Sequence, residues 1–176
     1  MELKELDSLL KNKDKLDKKI QSYINRKSLS KVPIDKAEIS GHLEKARHNL
    51  SFVKDNIELG YIDWAISGGY YAVYHATLAL ILAKGYSSKN HDATLCVAIK
   101  EYYGGGIFEE DITLINYFFL TYQDLLFYID SKEMRHNASY STKLVFDRVE
   151  VEELRKKAIN YINKVEAILG QKGGFR

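Results

Sequence analysis

The stretch AISGGYYAVYHATLALILAKG, residues 65–85, decides the fold of this chain. Its long apolar run predicts a helix over about residues 63–84, which Gly85 ends. Within a helix, Gly68 and Gly69 are each destabilising by about 1 kcal/mol relative to alanine. We therefore expect the backbone of a neighbouring helix to approach closely at these glycines, because close packing would offset that cost.

The preceding segment predicts a second helix with clear ends. Asp35 is a candidate N-cap, Glu38 is its capping partner, and Gly60 ends the helix. The apolar residues between them recur at spacings of three and four, which is one face of a helix. They are Ile39, Leu43, Ala46, Leu50, Val53 and Ile57.

Three further helical patterns follow the central segment. They cover about residues 91–103, a segment that begins at Glu109 and extends to Ile129 or through Arg135, and about residues 148–169. No alternating strand pattern competes with them, apart from the short ambiguous run TKLVF. The predicted fold is all-α, an antiparallel up-down bundle of five to six helices with short connections.

Residues 1–31 form a separate predicted unit. Apolar residues at helical spacing predict one Lys-rich amphipathic helix over residues 3–24, with a polar gap at Lys13. The stretch RKSLSKVP, residues 26–33, then breaks the helix. We interpret residues 1–31 as an arm and residues 32–176 as the bundle domain.

Charge is unevenly distributed along the chain. The net charge of +2 arises from +4 in residues 1–31, −6 in residues 32–133 and +4 in residues 134–176. The basic ends indicate either a face for a polyanion or two solvated helices that are rich in lysine. The sequence lacks the dense arginine cluster that would indicate a polyanion-binding face. Two solvated, lysine-rich helices are therefore the more common explanation of this charge pattern.

Composition excludes several kinds of site. A single cysteine, Cys96, rules out an internal disulfide and any multi-cysteine zinc site, and no histidine motif for zinc is present. We therefore expect no metal and no cofactor. The first ten residues carry acids at Glu2 and Glu5 and lack the apolar core of a signal peptide, and no uninterrupted apolar run approaches about 20 residues. We expect a cytoplasmic protein without a membrane segment.

The run YYAVYHATLALILAKG, followed by Lys89 and His91, resembles the third-helix signature of the HEPN (higher eukaryotes and prokaryotes nucleotide-binding) domain. A later helix of that family carries Arg, two variable residues, Ala, Asp and Tyr. Residues 135–140, RHNASY, match it except that Ser139 replaces the Asp. The resemblance covers roughly residues 37–168 and implies a helical bundle that is typically dimeric.

Many HEPN proteins are ribonucleases, or toxins paired with a small nucleotidyltransferase antitoxin. In the catalytic forms four to six residues stand between the Arg and a following His. The corresponding positions are five to seven residues after Arg135, and they are occupied by Tyr140, Ser141 and Thr142. His136 is adjacent to Arg135 and would point about 100° away on a helix. The missing His favours a binding role over ribonuclease activity.

Three hypotheses remain open from the sequence. The first is a protein of a toxin–antitoxin type system that binds a nucleotide, RNA or a nucleotidyltransferase partner. The second is a metal-independent endoribonuclease in which Arg135 and Tyr140 act with a histidine, either His75 or His136. The third is a homodimeric interaction module without a ligand. Arg135 and Tyr140 are the catalytic candidates, and the ligand-binding candidates are Arg135, Asn137, Tyr140, His75 and Tyr71.

Overall fold

The computed structural model describes residues 1–130 and 147–171, with side chains for residues 1–122 and 147–170. These residues form seven helices and one pair of short strands. The elements are α1 (Leu3–Lys11), α2 (Lys13–Asn25), β1 (Leu29–Lys31), α3 (Lys36–Glu58), α4 (Ile62–Leu82), β2 (Tyr86–Ser88), α5 (His91–Tyr102), α6 (Glu109–Asp130) and α7 (Arg148–Gln171). The predicted all-α bundle is confirmed.

Helix α3 begins and ends where its sequence signals indicate. The Asp35 side chain accepts hydrogen bonds from the backbone N–H groups of Ala37, at 2.8 Å, and Glu38, at 3.3 Å. At the other end Gly60 adopts a φ of 83°, a left-handed conformation that glycine tolerates. Side chains of the predicted apolar face, such as Ile39 and Val53, are almost fully buried.

Helix α4 is the core of the bundle and packs against α3, α5, α6 and α7. Fifteen of its 21 residues are buried. Among the described helices, α4 alone is long and apolar enough to span a membrane, but 78% of its most apolar window is buried inside the protein. Such burial is typical of the central helix of a bundle. The length and composition of α4 would allow it to span a membrane, so only its burial inside the bundle supports the expectation of no membrane segment.

Side chains of neighbouring helices fill the space beside the two glycines of α4. A Cβ atom on Gly69 would lie 2.7 Å from Cε1 of Phe118 in α6. A Cβ atom on Gly68 would lie 2.8 Å from Cδ1 of Phe52 and 2.9 Å from Cγ2 of Val53, both in α3. Close packing at the glycines is thus confirmed, but the approaching atoms belong to side chains and not to backbone.

The N-terminal segment forms two helices, so the prediction of one helix over residues 3–24 was wrong. Asn12 interrupts it with an extended backbone, and its side chain accepts a hydrogen bond from the Lys15 backbone N–H at 2.9 Å. Leu6, Leu9 and Leu16 are buried in the common core, and α2 packs against α5. The segment therefore lies on the bundle and does not extend away from it.

The sequence patterns missed the strand pair. Strands β1 and β2 pair antiparallel, with Leu29 opposite Ser88 and Lys31 opposite Tyr86. The Lys31 ammonium lies 3.2 Å from the centre of the Tyr86 ring, which is a cation–π contact. Strands of three residues are too short to produce a detectable alternation. The ambiguous run TKLVF and the predicted continuation to Arg135 lie outside the described residues.

Candidate functional site

The structure describes two of the sequence candidates. Tyr71 and His75 both lie on α4, one helical turn apart, on the side that faces away from the core. Arg135, Asn137 and Tyr140 lie outside the described residues, so their placement stays a prediction.

His75 forms a hydrogen bond with a second histidine. Its Nδ1 atom lies 2.8 Å from Nδ1 of His42 on α3, and the two ring centroids are 5.1 Å apart. The sequence analysis named His75 as a ligand-binding candidate but did not include His42 in the site. The two residues are 33 positions apart, and only the antiparallel packing of α3 on α4 brings them together.

Both members of this pair favour the neutral form. Partial burial lowers the pKa of His75 to about 4, with further contributions from His42 and Lys45. Burial also lowers the pKa of His42, against an opposing effect of Glu38. One neutral imidazole must then donate through Nδ1 and the other must accept. The pair therefore presents one Nε2 that carries a proton and one Nε2 with a free lone pair.

Two tyrosines extend the pair along the surface. The Tyr71 side chain is 39% exposed, and its ring lies 6.5 Å from that of His75 at an angle of 27°. The Tyr71 hydroxyl lies 2.7 Å from the hydroxyl of Tyr122 on α6. We call His42, Tyr71, His75 and Tyr122 the α4 polar strip. It combines an exposed ring, a hydroxyl pair and a neutral histidine pair.

Buried aromatic residues hold the α4 polar strip from behind. Tyr70 stacks on Tyr122 with centroids 3.7 Å apart, and its hydroxyl lies 2.5 Å from Nε2 of His91. Burial raises the pKa of the Tyr70 hydroxyl, which keeps the hydroxyl protonated. His91 does not cap α5, since the Asn90 side chain accepts the capping hydrogen bond from the Ala93 backbone N–H.

The helices that carry the α4 polar strip match a known domain family. Residues 39–168 match the model of the HEPN domain. The chain belongs to the HEPN domain family. The match begins within α3 and ends within α7, so it contains the α4 polar strip and leaves α1, α2 and β1 outside. The resemblance inferred from the sequence is thereby confirmed.

A curated relative is a protein named "Putative toxin MJ0142" from Methanocaldococcus jannaschii. It is 26% identical to this chain over 134 residues, which cover 76% of this chain and 83% of the relative.

Lys45 adds a cation beside the strip of this HEPN domain. It is exposed and lies three residues after His42, one turn further along the same side of α3. It contributes to the low pKa of both His42 and His75, which means that its ammonium acts on both rings. The sequence analysis missed Lys45 and Tyr122. The helical spacing between His42 and Lys45 was the available signal.

The described residues also form a concave surface away from the α4 polar strip. A cleft of about 840 Å³ lies between α6 and α7 and contains none of the sequence candidates. Leu114, Leu154 and Tyr161 contribute buried side chains, while Glu109 and Glu150 are exposed at its walls. Within the described residues, no three His, Cys, Asp or Glu side chains are placed to hold a metal ion.

Proposed function

We propose that this HEPN protein is a toxin-type protein that binds single-stranded RNA or a nucleotide at the α4 polar strip. The observation that carries the proposal is the exposed Tyr71 ring beside the hydrogen-bonded His42–His75 pair. Tyrosine rings stack on bases without regard to sequence, and the two Nε2 positions supply one donor and one acceptor for a base edge. Membership of the HEPN family and the similarity to a protein named "Putative toxin MJ0142" support the same function.

Cations for the phosphate groups come from two sources in this proposal. Lys45 lies beside the histidine pair. Arg135, with Asn137 and Tyr140, belongs to the motif that resembles the family pattern. A guanidinium can hold a phosphate through two parallel hydrogen bonds, which a lysine cannot do.

Binding can be measured by the fluorescence anisotropy of labelled single-stranded RNA and of labelled ATP. We expect Arg135→Ala to weaken binding about 10- to 150-fold, the equivalent of about 1.5–3 kcal/mol for charge-assisted hydrogen bonds. Tyr71→Ala should weaken RNA binding about 5- to 150-fold, the equivalent of about 1–3 kcal/mol for one stacked base.

The matched control for Tyr71→Ala is Tyr103→Ala, because Tyr103 is 40% exposed and lies outside the strip. This control should leave the affinity unchanged. No binding by the wild type, or equal affinities of all four proteins, would reject the proposal and leave the interaction module as the explanation.

A second candidate function is metal-independent RNA cleavage, and the His42–His75 pair favours it. The free Nε2 could take the proton of a ribose 2′-hydroxyl, whose oxygen then attacks the adjacent phosphorus. The product would be a 2′,3′-cyclic phosphate, and the 5′-oxygen would leave with a proton from an acid. Cleavage in EDTA that is lost in His75→Gln, but kept in the control His48→Gln, would establish this activity. His48 is exposed on α3 and has no role in the pair.

We also propose, from the family resemblance, that the protein forms a homodimer and pairs with a small nucleotidyltransferase in the cytoplasm. Native purification followed by mass spectrometry of the bound protein and nucleotide tests this pairing. Recovery of the chain alone, at the mass of a monomer, would contradict both parts.

A further inference from the structure

Four large apolar side chains are exposed together where α3 ends and α4 begins. Phe52 is 41% exposed, Leu59 70%, Tyr61 58% and Trp64 63%. Phe52 and Leu59 are seven residues apart and lie on one side of α3, while Tyr61 and Trp64 are three residues apart across the start of α4. We call these four residues the aromatic corner. Large apolar side chains that are exposed near one another in a fold are candidates for interaction sites, and Trp and Tyr are enriched at the energetic centres of such sites.

The aromatic corner is held in place before any partner arrives. The Tyr61 backbone N–H donates to the Asn56 carbonyl at 2.8 Å, and the Leu59 N–H donates to the Asp55 carbonyl at 3.0 Å. The Phe52 ring rests against Gly68, where an added Cβ would lie 2.8 Å from it. A preformed surface loses little conformational entropy on binding.

The charges around the aromatic corner indicate the kind of partner. Residues 52–64 contain three carboxylates, on Asp55, Glu58 and Asp63, and one ammonium, on Lys54. Lys54 already lies 3.7 Å from the Glu58 carboxylate. Two copies of this corner packed on a two-fold axis would bring like charges together, and the phosphates of RNA would be repelled.

We propose that the aromatic corner is the docking site for a different protein that presents aliphatic side chains flanked by lysine or arginine. The aliphatic groups would cover Trp64 and Leu59, and the cations would face the exposed carboxylates of Asp55 and Glu58. The aromatic corner shares no residue with the α4 polar strip, and Trp64 lies two helical turns before Tyr71 on the same side of α4. The inference is argued from the charges of the corner itself and does not depend on RNA binding.

Trp64 is the only tryptophan of the chain and reports directly on coverage of the aromatic corner. The probe is a short amphipathic helical peptide of leucine and lysine, compared with its leucine and glutamate counterpart. We expect the lysine peptide to shift the Trp64 emission to shorter wavelengths in a saturable and salt-sensitive titration. The glutamate peptide should produce no shift.

Matched variants locate the binding. Leu59→Ser should weaken it at least about tenfold, while Leu3→Ser should leave it unchanged, because Leu3 is 67% exposed but lies on α1. Glu58→Lys should weaken binding of the lysine peptide. Glu44→Lys should not weaken it, because Glu44 is exposed but lies nearer the start of α3. Both leucines are exposed, so neither serine variant should alter the thermal melt.

Several outcomes would overturn the inference. They are equal effects of Leu59→Ser and Leu3→Ser, equal binding of the two peptides, or no change in Trp64 emission. Self-association that shields Trp64 and is lost in Leu59→Ser would instead assign the corner to a homodimer. Stronger quenching by RNA than by the lysine peptide would assign it to nucleic acid.

Discussion

Gly69 offers a direct test of the packing at the centre of the bundle. The substitution Gly69→Leu places a Cβ atom 2.7 Å from Cε1 of Phe118, while carbon atoms in contact normally lie about 3.5–4.0 Å apart. The Phe118 ring would have to move by about 1 Å, but it is only 1% exposed and packed on all sides.

The size of the effect follows from two opposing contributions. Overpacking a core destabilises a protein by typically about 1–3 kcal/mol. Replacing a helical glycine also gains up to about 1 kcal/mol of helix propensity, most of it already with alanine. A leucine introduces four carbon atoms, so its overpacking cost lies in the upper part of that range, at about 2–3 kcal/mol. After subtraction of a gain of up to about 1 kcal/mol, we expect Gly69→Leu to lower the free energy of unfolding by about 1–3 kcal/mol and Gly69→Ala by less. For a chain of this size each 1 kcal/mol lowers the melting temperature by about 2–4 °C.

Thermal and urea unfolding measure this effect, and Gly41→Ala is the matched control. Gly41 lies inside α3, and a Cβ added there meets no atom within 4 Å. This control should raise stability by about 0.5–1 kcal/mol. The further change Phe118→Leu should recover part of the loss in Gly69→Leu, because it frees space at the contact. A melt of Gly69→Leu equal to the wild type, or stabilisation equal to that of Gly41→Ala, would refute the reasoning.

Three other expectations concern pH, a buried hydrogen bond and assembly. The pKa of His75 is about 4 in the fold, against about 6.5 in an unfolded chain, so the stability it contributes is complete above pH 6.5. The free energy of unfolding should fall as the pH drops from about 6.5 towards 4, and urea titrations should show a shallower fall in His75→Gln. Tyr161→Phe should lower the free energy of unfolding by about 0.5–1.5 kcal/mol, because its buried hydroxyl donates to Thr77 Oγ1 at 2.9 Å; the urea midpoint measures this. Sedimentation equilibrium should show a homodimer, and a monomer of 20.3 kDa at tens of micromolar would contradict that prediction.

The helices could be predicted wherever local chemistry defines their ends. Asp35 and Gly60 bound α3 because a cap and a left-handed glycine act within a few residues of the chain. The break at Asn12 was missed because the apolar spacing continues across it, although Asn is a common N-cap residue and its bond to the Lys15 N–H is equally local. The pairing of β1 with β2 joins segments more than fifty residues apart, and no local pattern encodes it.

The candidate site was predictable only in part for a similar reason. Tyr71 and His75 stand in one helix, so their common side follows from helical spacing. His42 and Tyr122 reach the same place from α3 and α6, and only the packing of these helices on α4 shows it. Arg135, Asn137 and Tyr140 lie outside the described residues, so their part in the site stays a prediction.

The strand pair determines which N-terminal residues a shortened version of the protein must keep. A recombinant fragment limited to residues 39–168 would match the family but would lack β1, leaving the backbone groups of Tyr86–Ser88 without their partner strand. It would also lack Leu29, which is 1% exposed, and so open the apolar surface beneath it to water. Unpaired strand edges and bare apolar surface both promote aggregation. A soluble fragment of this protein should therefore retain the residues that precede the family match, and screening of expression lengths should begin upstream of α1.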